Sequence, residues 1–281
     1  MNRLSKTLGA SILSVIVPLT SSGVLQAADL LSSLRGGGHE ITIGTANDAP
    51  LSSIDSRDGA AIGIFPDILR AVFARMGVRA DIHPVAMPFS SLIPALASER
   101  IAMIGDSMYA TPQRKQVIDF TDIVFYNPEA LDVAKGNPAK LRNLADLCGR
   151  TAGSYEGTTY VGLLRAASAN CPSGKSIEIR QYPTLDNVLA DLSAGRLDAA
   201  VAASSLSAYA LRQNPALNFE IVADYQPADR AHAGSAVGVA KGNDAFLQQF
   251  NAAYAAMLAD GSAAAIFSKW GLTPTDFFLS R

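Results

Sequence analysis

The sequence is poor in the residues that build metal centres and disulfide frameworks, with two cysteines, Cys148 and Cys171, and three histidines, His39, His83 and His232, among 281 residues. No histidine stands at ligand spacing from another or from a cysteine, so no metal is expected. Neither sign of charge is in excess. With 23 basic and 25 acidic residues the formal net charge is -2, and no basic run marks a nucleic-acid surface. Catalytic signatures are missing too. There is no Gly-x-Ser-x-Gly elbow, and Gly174-Lys175-Ser176 has Ala169 where a phosphate loop needs its upstream glycine. No cofactor is expected.

What is present is an apolar share of 49%, enough for one large or two medium domains with real cores. Arg3 and Lys6 precede an apolar segment from Leu8 to Leu19, and small residues follow up to Ala27 and Ala28. That order of charge, apolar middle and small residues reads as a cleavable secretory signal over residues 1–27. Pro18 and the short apolar span argue against a membrane anchor. No cysteine precedes Cys148, so lipid attachment at a processed N-terminal cysteine is excluded. A free, monomeric, periplasmic protein is expected. In that oxidising compartment Cys148 and Cys171 read as one disulfide, with two buried thiols as the alternative.

Along the mature chain, residues 32–39, with three glycines, read as a flexible lead-in and residues 40–46 as a first strand. Residues 67–76 carry Ile68, Leu69, Val72, Phe73 and Met76 on one helical face. Strand and helix then alternate, with a long extended stretch over 124–135 and two C-terminal helices over 244–258 and 262–270. Alternation of this kind predicts an α/β protein with parallel-rich sheets. Val133-Ala134-Lys135-Gly136-Asn137 recurs as Val239-Ala240-Lys241-Gly242-Asn243. The echo is read as two crossings between lobes, giving lobe 1 over 38–132 plus 237–281 and lobe 2 over 133–236.

The buried run Ile101-Ala102-Met103-Ile104 leads into Gly105-Asp106-Ser107-Met108-Tyr109 and a turn at Thr111-Pro112. Ligands of open α/β sheets lie beyond the carboxyl ends of strands, so Asp106, Ser107 and Tyr109 are expected to face a crevice with Arg114 beside it. The planar fork of Arg114 suits a carboxylate; its alternative is a solvated surface charge. Asp106 has the alternative of bonding local backbone, Glu156 that of a solvated loop charge, and Phe89 and Tyr109 that of core residues.

Several segments in order resemble the periplasmic solute-binding proteins of ATP-driven importers, polar-amino-acid type, family 3. They include Ile41-Thr42-Ile43-Gly44-Thr45, Ser91-Leu92-Ile93-Pro94-Ala95-Leu96, Thr111-Pro112-Gln113-Arg114, Gly157-Thr158-Thr159, Gly195-Arg196-Leu197-Asp198-Ala199 and Ile266-Phe267-Ser268-Lys269-Trp270-Gly271. The resemblance implies two α/β lobes with a hinge, closing on a small solute delivered to a membrane permease. It implies Arg114 as the carboxylate ligand, with Gly157 and Thr158 opposing it from lobe 2. The acids that usually hold an amino group correspond to Ala46 and Ala203. The chain is similar to the ectoine-binding branch in Ala46-Asn47-Asp48-Ala49-Pro50 and in Met108-Tyr109-Ala110-Thr111-Pro112. That likeness implies Asp48 for a cationic end and Phe89 and Tyr109 as cage rings, with Leu51 at the position of a third ring. Ser204 and Ser205 are expected over the solute after closure. The implied solute is a carboxylate-bearing zwitterion or cation, an amino acid or derivative, with an ectoine or betaine as the alternative. A dehydratase-like enzyme using Glu156 and Lys175 is a third reading by analogy of fold alone.

Overall fold

Ile64, Phe65, Ile68, Leu69, Val72 and Phe73 recur at helical spacing and are all buried, so the helix they form covers a sheet with one full face. The computed structural model describes residues 29–36, 40–228 and 233–273. The expected signal over 1–27 lies outside the described residues, as do His39, His232 and residues 274–281. The chain runs α1 (Leu30–Arg35), β1 (Glu40–Thr45), β2 (Ser53–Ile54), β3 (Ala61–Ile62), α2 (Ile64–Arg75), β4 (Asp81–Ala86), α3 (Leu92–Ala97), β5 (Met103–Tyr109), α4 (Pro112–Lys115), β6 (Asp119–Phe120) and β7 (Phe125–Tyr126). It continues through β8 (Glu129–Ala134), β9 (Thr151–Tyr155), α5 (Thr159–Ala169), β10 (Glu178–Tyr182), α6 (Leu185–Ser193), β11 (Ala199–Ala203), α7 (Ser204–Gln213), β12 (Phe219–Ile221), β13 (Gly234–Val239), α8 (Asp244–Ala259) and α9 (Ser262–Lys269).

The first sheet has the order β4-β1-β5-β13-β6, with β7 also on β13; the second has the order β10-β9-β11-β8-β12. In each, the first three strands are parallel and the fourth runs antiparallel to both of its neighbours. The two lobes are therefore copies of one topology, and the α/β class with two lobes agrees with the sequence reading. β5 and β11 are almost wholly buried, as central parallel strands covered on both faces must be.

The five-residue echo ends β8 and β13, which occupy the same place in the two sheets. Gly136 donates its N–H to Glu220 Oε2 at 2.7 Å, and Gly242 donates to Asp119 Oδ2 at 3.1 Å, in both cases a carboxylate on the neighbouring antiparallel strand. The echo thus marks twin positions and not the crossings. The chain crosses one strand earlier, at 126–128 and within 222–233, so the expected boundaries at 132/133 and 236/237 fall inside β8 and β13. The long extended stretch over 124–135 is two strands in different sheets, broken at Pro128, which has no N–H to give to a ladder. Glu129 opens β8, and its Oε1 accepts the Tyr225 hydroxyl at 3.0 Å and the Ala228 N–H at 2.6 Å, tying the two crossings together.

The lead-in is more ordered than expected. Leu30, Leu31 and Leu34 are buried by α1, which Asp29 caps through the N–H of Leu31. Cys148 and Cys171 form a disulfide with Cα atoms 5.5 Å apart, fastening the turn after Leu147 to the end of α5.

Candidate functional site

The carboxyl ends of β1 and β5 in one lobe face those of β9 and β11 in the other, and the residues just past these ends meet between the lobes. After β5, Thr111 accepts the N–H of Arg114 at 3.3 Å and Pro112 starts α4, whose one turn returns Arg114 toward the strand end. Arg114 Nη1 donates to the carbonyl of Tyr109 at 2.9 Å, and Nη2 donates to the carbonyl of Gly157 in the opposite lobe at 2.8 Å. Its Cζ lies 5.5 Å from the centre of the Phe89 ring. Burial lowers the guanidinium's pKa, while the phenols of Tyr160, Tyr155 and Tyr109 act the other way. Arg114 is thus a two-lobed contact and not a solvated surface charge.

Four rings surround it. Phe89 meets Tyr155 edge-on at 5.8 Å, Tyr155 meets Tyr160 at 6.2 Å, and Tyr160 meets Tyr109 edge-on at 6.0 Å. The Tyr109 and Tyr160 hydroxyls are 3.1 Å apart across the lobes, and Tyr109 also donates to the carbonyl of Asn127 at the first crossing. Leu51, expected at a ring position, is 1% exposed and belongs to the core. Tyr155 and Tyr160 supply the aromatic surface from lobe 2, and the sequence reading did not single them out. Their signal is positional: Tyr155 ends a strand just before the Gly157 turn, and Tyr160 sits in the first turn of the following helix.

Gly157 has φ +79°, and a Cβ placed on it would lie 2.6 Å from Ser90 Cα in the other lobe. Only glycine allows both that backbone and that approach. Thr158 has the extended backbone of an N-cap, but its hydroxyl donates to the Tyr155 carbonyl at 2.8 Å, so no side chain caps the first-turn N–H groups of α5. Those amides, with the helix dipole, favour an anion beside Arg114.

The acids divide. Asp106, expected to face the crevice, is 2% exposed and holds the end of β1: Oδ2 accepts Ala46 N–H at 2.6 Å and the Thr45 hydroxyl at 3.3 Å, and Oδ1 accepts Ser107 N–H at 2.7 Å. Burial raises its pKa to about 6 against the lowering effect of those bonds. Asp48 is half-buried and accepts no side-chain hydrogen bond among the described residues; burial first, then the charges of Asp106 and Asp186, raise its pKa well above the usual carboxylate range. Glu156 lies in the turn just past the end of β9 and is exposed, so its side chain is a solvated loop charge. Ser107 bonds the Ser235 hydroxyl at 2.6 Å beside the rings, while Ser204 gives its N–H to the Pro128 carbonyl at 2.9 Å and its hydroxyl has no partner among the described residues. The arrangement presents one cation at Arg114 and, at Asp48, a carboxyl with no side-chain hydrogen bond among the described residues, both acting on Tyr155. It is chemically complementary to a zwitterion. Among the described residues no cluster of histidine, cysteine or acid stands ready for a metal, and no helix is long and apolar enough to cross a membrane.

Residues 41–273 match the family model described as bacterial extracellular solute-binding proteins, family 3. The chain is 35% identical over 234 residues to the L-arginine-binding protein of Pseudomonas aeruginosa, covering 82% of this chain and 87% of that one. It is 30% identical over 225 residues to the lysine/arginine/ornithine-binding periplasmic protein of Escherichia coli, covering 79% and 84%. Among solved structures it resembles an ancestral arginine-binding protein bound to arginine, with a TM-score of 0.71, 26% identity, and coverage of 83% and 98%. On the family match, on the shared two-lobed fold and on these relatives, the chain belongs to the extracellular solute-binding proteins of family 3.

Proposed function

We propose that this protein is the periplasmic binding component of an ATP-driven importer, and that it captures an amino acid or derivative carrying one carboxylate and a cationic centre. The observation that carries this is Arg114, whose fork is held between the lobes by one carbonyl from each. A carboxylate entering beside it gains a bidentate charge-assisted pair and the free amides of α5 together. Asp48 takes the cationic end. The space lined by Phe89, Ser107, Tyr109, Arg114 and Tyr155 is about 10 Å³, room for about one water molecule and not for an amino acid. Solute therefore enters an opened form, and closure follows because only the closed form offers contacts from both lobes. The names of the relatives favour basic amino acids.

The four rings support a second reading, an ectoine- or betaine-like solute, because aromatic faces attract delocalised cations. The dehydratase-like reading gains nothing. Lys175 packs beside Gly149 ahead of β9 and Glu156 follows its far end, so the two side chains flank opposite ends of a five-residue strand. A thermal-shift screen of the mature protein against basic amino acids, neutral amino acids, betaines and ectoines tests the reading. Stabilisation by carboxylate-bearing cations is expected; stabilisation by none of them, or equally by amines lacking a carboxylate, would refute it.

A further inference from the structure

The lobes also touch at a place that shares no residue with the space beside Arg114. Arg212, in the last turn of α7 in lobe 2, donates Nη1 to the carbonyl of Gly271 and Nη2 to that of Trp270 at 3.3 Å, both just past α9 in lobe 1. The seat is the C-terminal cap of α9. Gly271 has φ +71° and gives its N–H to the Ser268 carbonyl at 2.9 Å, and Leu272 gives its own to the Phe267 carbonyl at 3.0 Å. That pairing satisfies two of the last carbonyls of the helix and leaves those of Trp270 and Gly271 with no backbone partner among the described residues. The cap is fixed to lobe 1, because Asp67 of α2 accepts the Trp270 indole N–H at 2.9 Å and the Lys269 ammonium at 2.7 Å, and Leu272 is buried. Arg212 is braced in turn by the ring of Tyr209, one turn back on α7, whose centre lies 5.5 Å from its Cζ. Its charge also meets the negative end of the α9 dipole.

This contact depends on the angle between the lobes. α7 is held at its start, where the Ser204 N–H meets the Pro128 carbonyl at the first crossing, and Arg212 stands eight residues further on, about 12 Å along the helix. Turning α7 about the crossing by about 10° therefore shifts the Arg212 backbone by about 2 Å, more than the range over which a hydrogen bond holds its strength. We infer that Arg212 and the α9 cap form a closure latch, which stabilises the closed form whatever the solute and so sets the level of affinity without touching the solute. It raises the closed population by one factor for every occupant of the cleft. It requires that the lobes open and close, and not that Arg114 holds a carboxylate.

Spin labels on the exposed helix positions Ala97→Cys in lobe 1 and Ala166→Cys in lobe 2 report the separation of the lobes, both without solute and along a titration with L-arginine. Arg212→Ala, at an exposed position, is expected to shift the solute-free protein toward the longer separation. It should raise the L-arginine concentration that half-closes the protein about three- to fivefold, the scale of an exposed cation at a helix C-terminus. Gly271→Ala removes the latch from the other lobe, since its Cβ would lie 2.6 Å from Arg212 Nη1, while its left-handed backbone burdens open and closed forms alike. It should weaken closure as much as Arg212→Ala does, and the double variant should weaken it no further than either single one. Arg212→Ala that changes neither the solute-free separation nor the L-arginine midpoint would overturn the latch, as would single losses that add in the double variant. L-arginine that leaves the wild-type lobes apart would count instead against the basic-amino-acid reading, and the solute-free separation then decides the latch alone.

Discussion

Gly157 is the residue at which closure is most directly open to perturbation. In Gly157→Ala the new Cβ lies 2.6 Å from Ser90 Cα, 2.9 Å from Ser90 Cβ and 3.0 Å from Ser90 N, so the obstruction is largely backbone and cannot swing aside. Two costs follow and they separate cleanly. The left-handed backbone at φ +79° costs a residue with a Cβ about 1–2 kcal/mol, but open and closed forms carry it alike, so it lowers stability and cancels in binding. The clash exists only when the lobes meet. Overpacking of this kind costs about 1–3 kcal/mol, which weakens affinity roughly 5- to 150-fold. Gly174→Ala is the control: φ is +77° with nothing within 4 Å of an added Cβ, so it shares the backbone cost without the clash. Calorimetry gives the affinities, and scattering at saturating solute reports whether the lobes still close. Gly157→Ala with affinity within twofold of wild type, or Gly174→Ala losing affinity equally, would refute the reasoning.

Further outcomes follow from single groups. Asp48→Asn is expected to weaken cation-bearing solutes about 10- to 100-fold and to spare carboxylates without a cation, measured by calorimetry. Because the Asp48 pKa is raised and a bound cation favours its ionised form, affinity for such solutes in the wild type should fall as pH is lowered. Asp106 and Asp132 are buried with pKa values raised to about 6 and about 7, so the folded protein holds their protons longer than the unfolded chain does. Their contribution to stability is therefore present at acid pH and lost as pH rises through about 4 to 7. Asp132→Asn should flatten the upper part of that slope in denaturant titrations at several pH values. Reducing Cys148–Cys171, which closes a loop of 23 residues, is expected to cost about 3 kcal/mol, or about 6–12 °C in melting temperature.

How much of this was legible in the sequence depends on whether a feature is local. The α2 face, the central strand before Asp106 and the turn that returns Arg114 rest on spacing and capping within a few residues, and they stand where the pattern put them. An aspartate at a strand end reads as a crevice group, but Asp106 faces inward to hold the end of β1, a partner sixty residues away that no local pattern reveals. Tyr155 and Tyr160 read as ordinary apolar positions of β9 and α5, and their role comes only from the meeting of the lobes. The echo at Val133 and Val239 marks β8 and β13 as equivalent strands of the two sheets, because a repeated turn says which positions are equivalent and not where the chain crosses. Glu156 illustrates the reverse, since a charged residue in the turn before Gly157 already reads as a solvated loop charge, and it is exposed.

The central claim is that Arg114 clamps the carboxylate of the solute. Calorimetry of L-arginine against agmatine, the same cation without its carboxylate, on wild-type and Arg114→Ala protein tests it most directly. Losing one partner of a buried, hydrogen-bonded charge pair costs about 2–5 kcal/mol, so wild type should prefer L-arginine by at least about 30-fold and Arg114→Ala should lose most of that preference, keeping only what the α5 amides supply. A wild-type protein indifferent to the carboxylate, or an Arg114→Ala variant that keeps the preference, would contradict it.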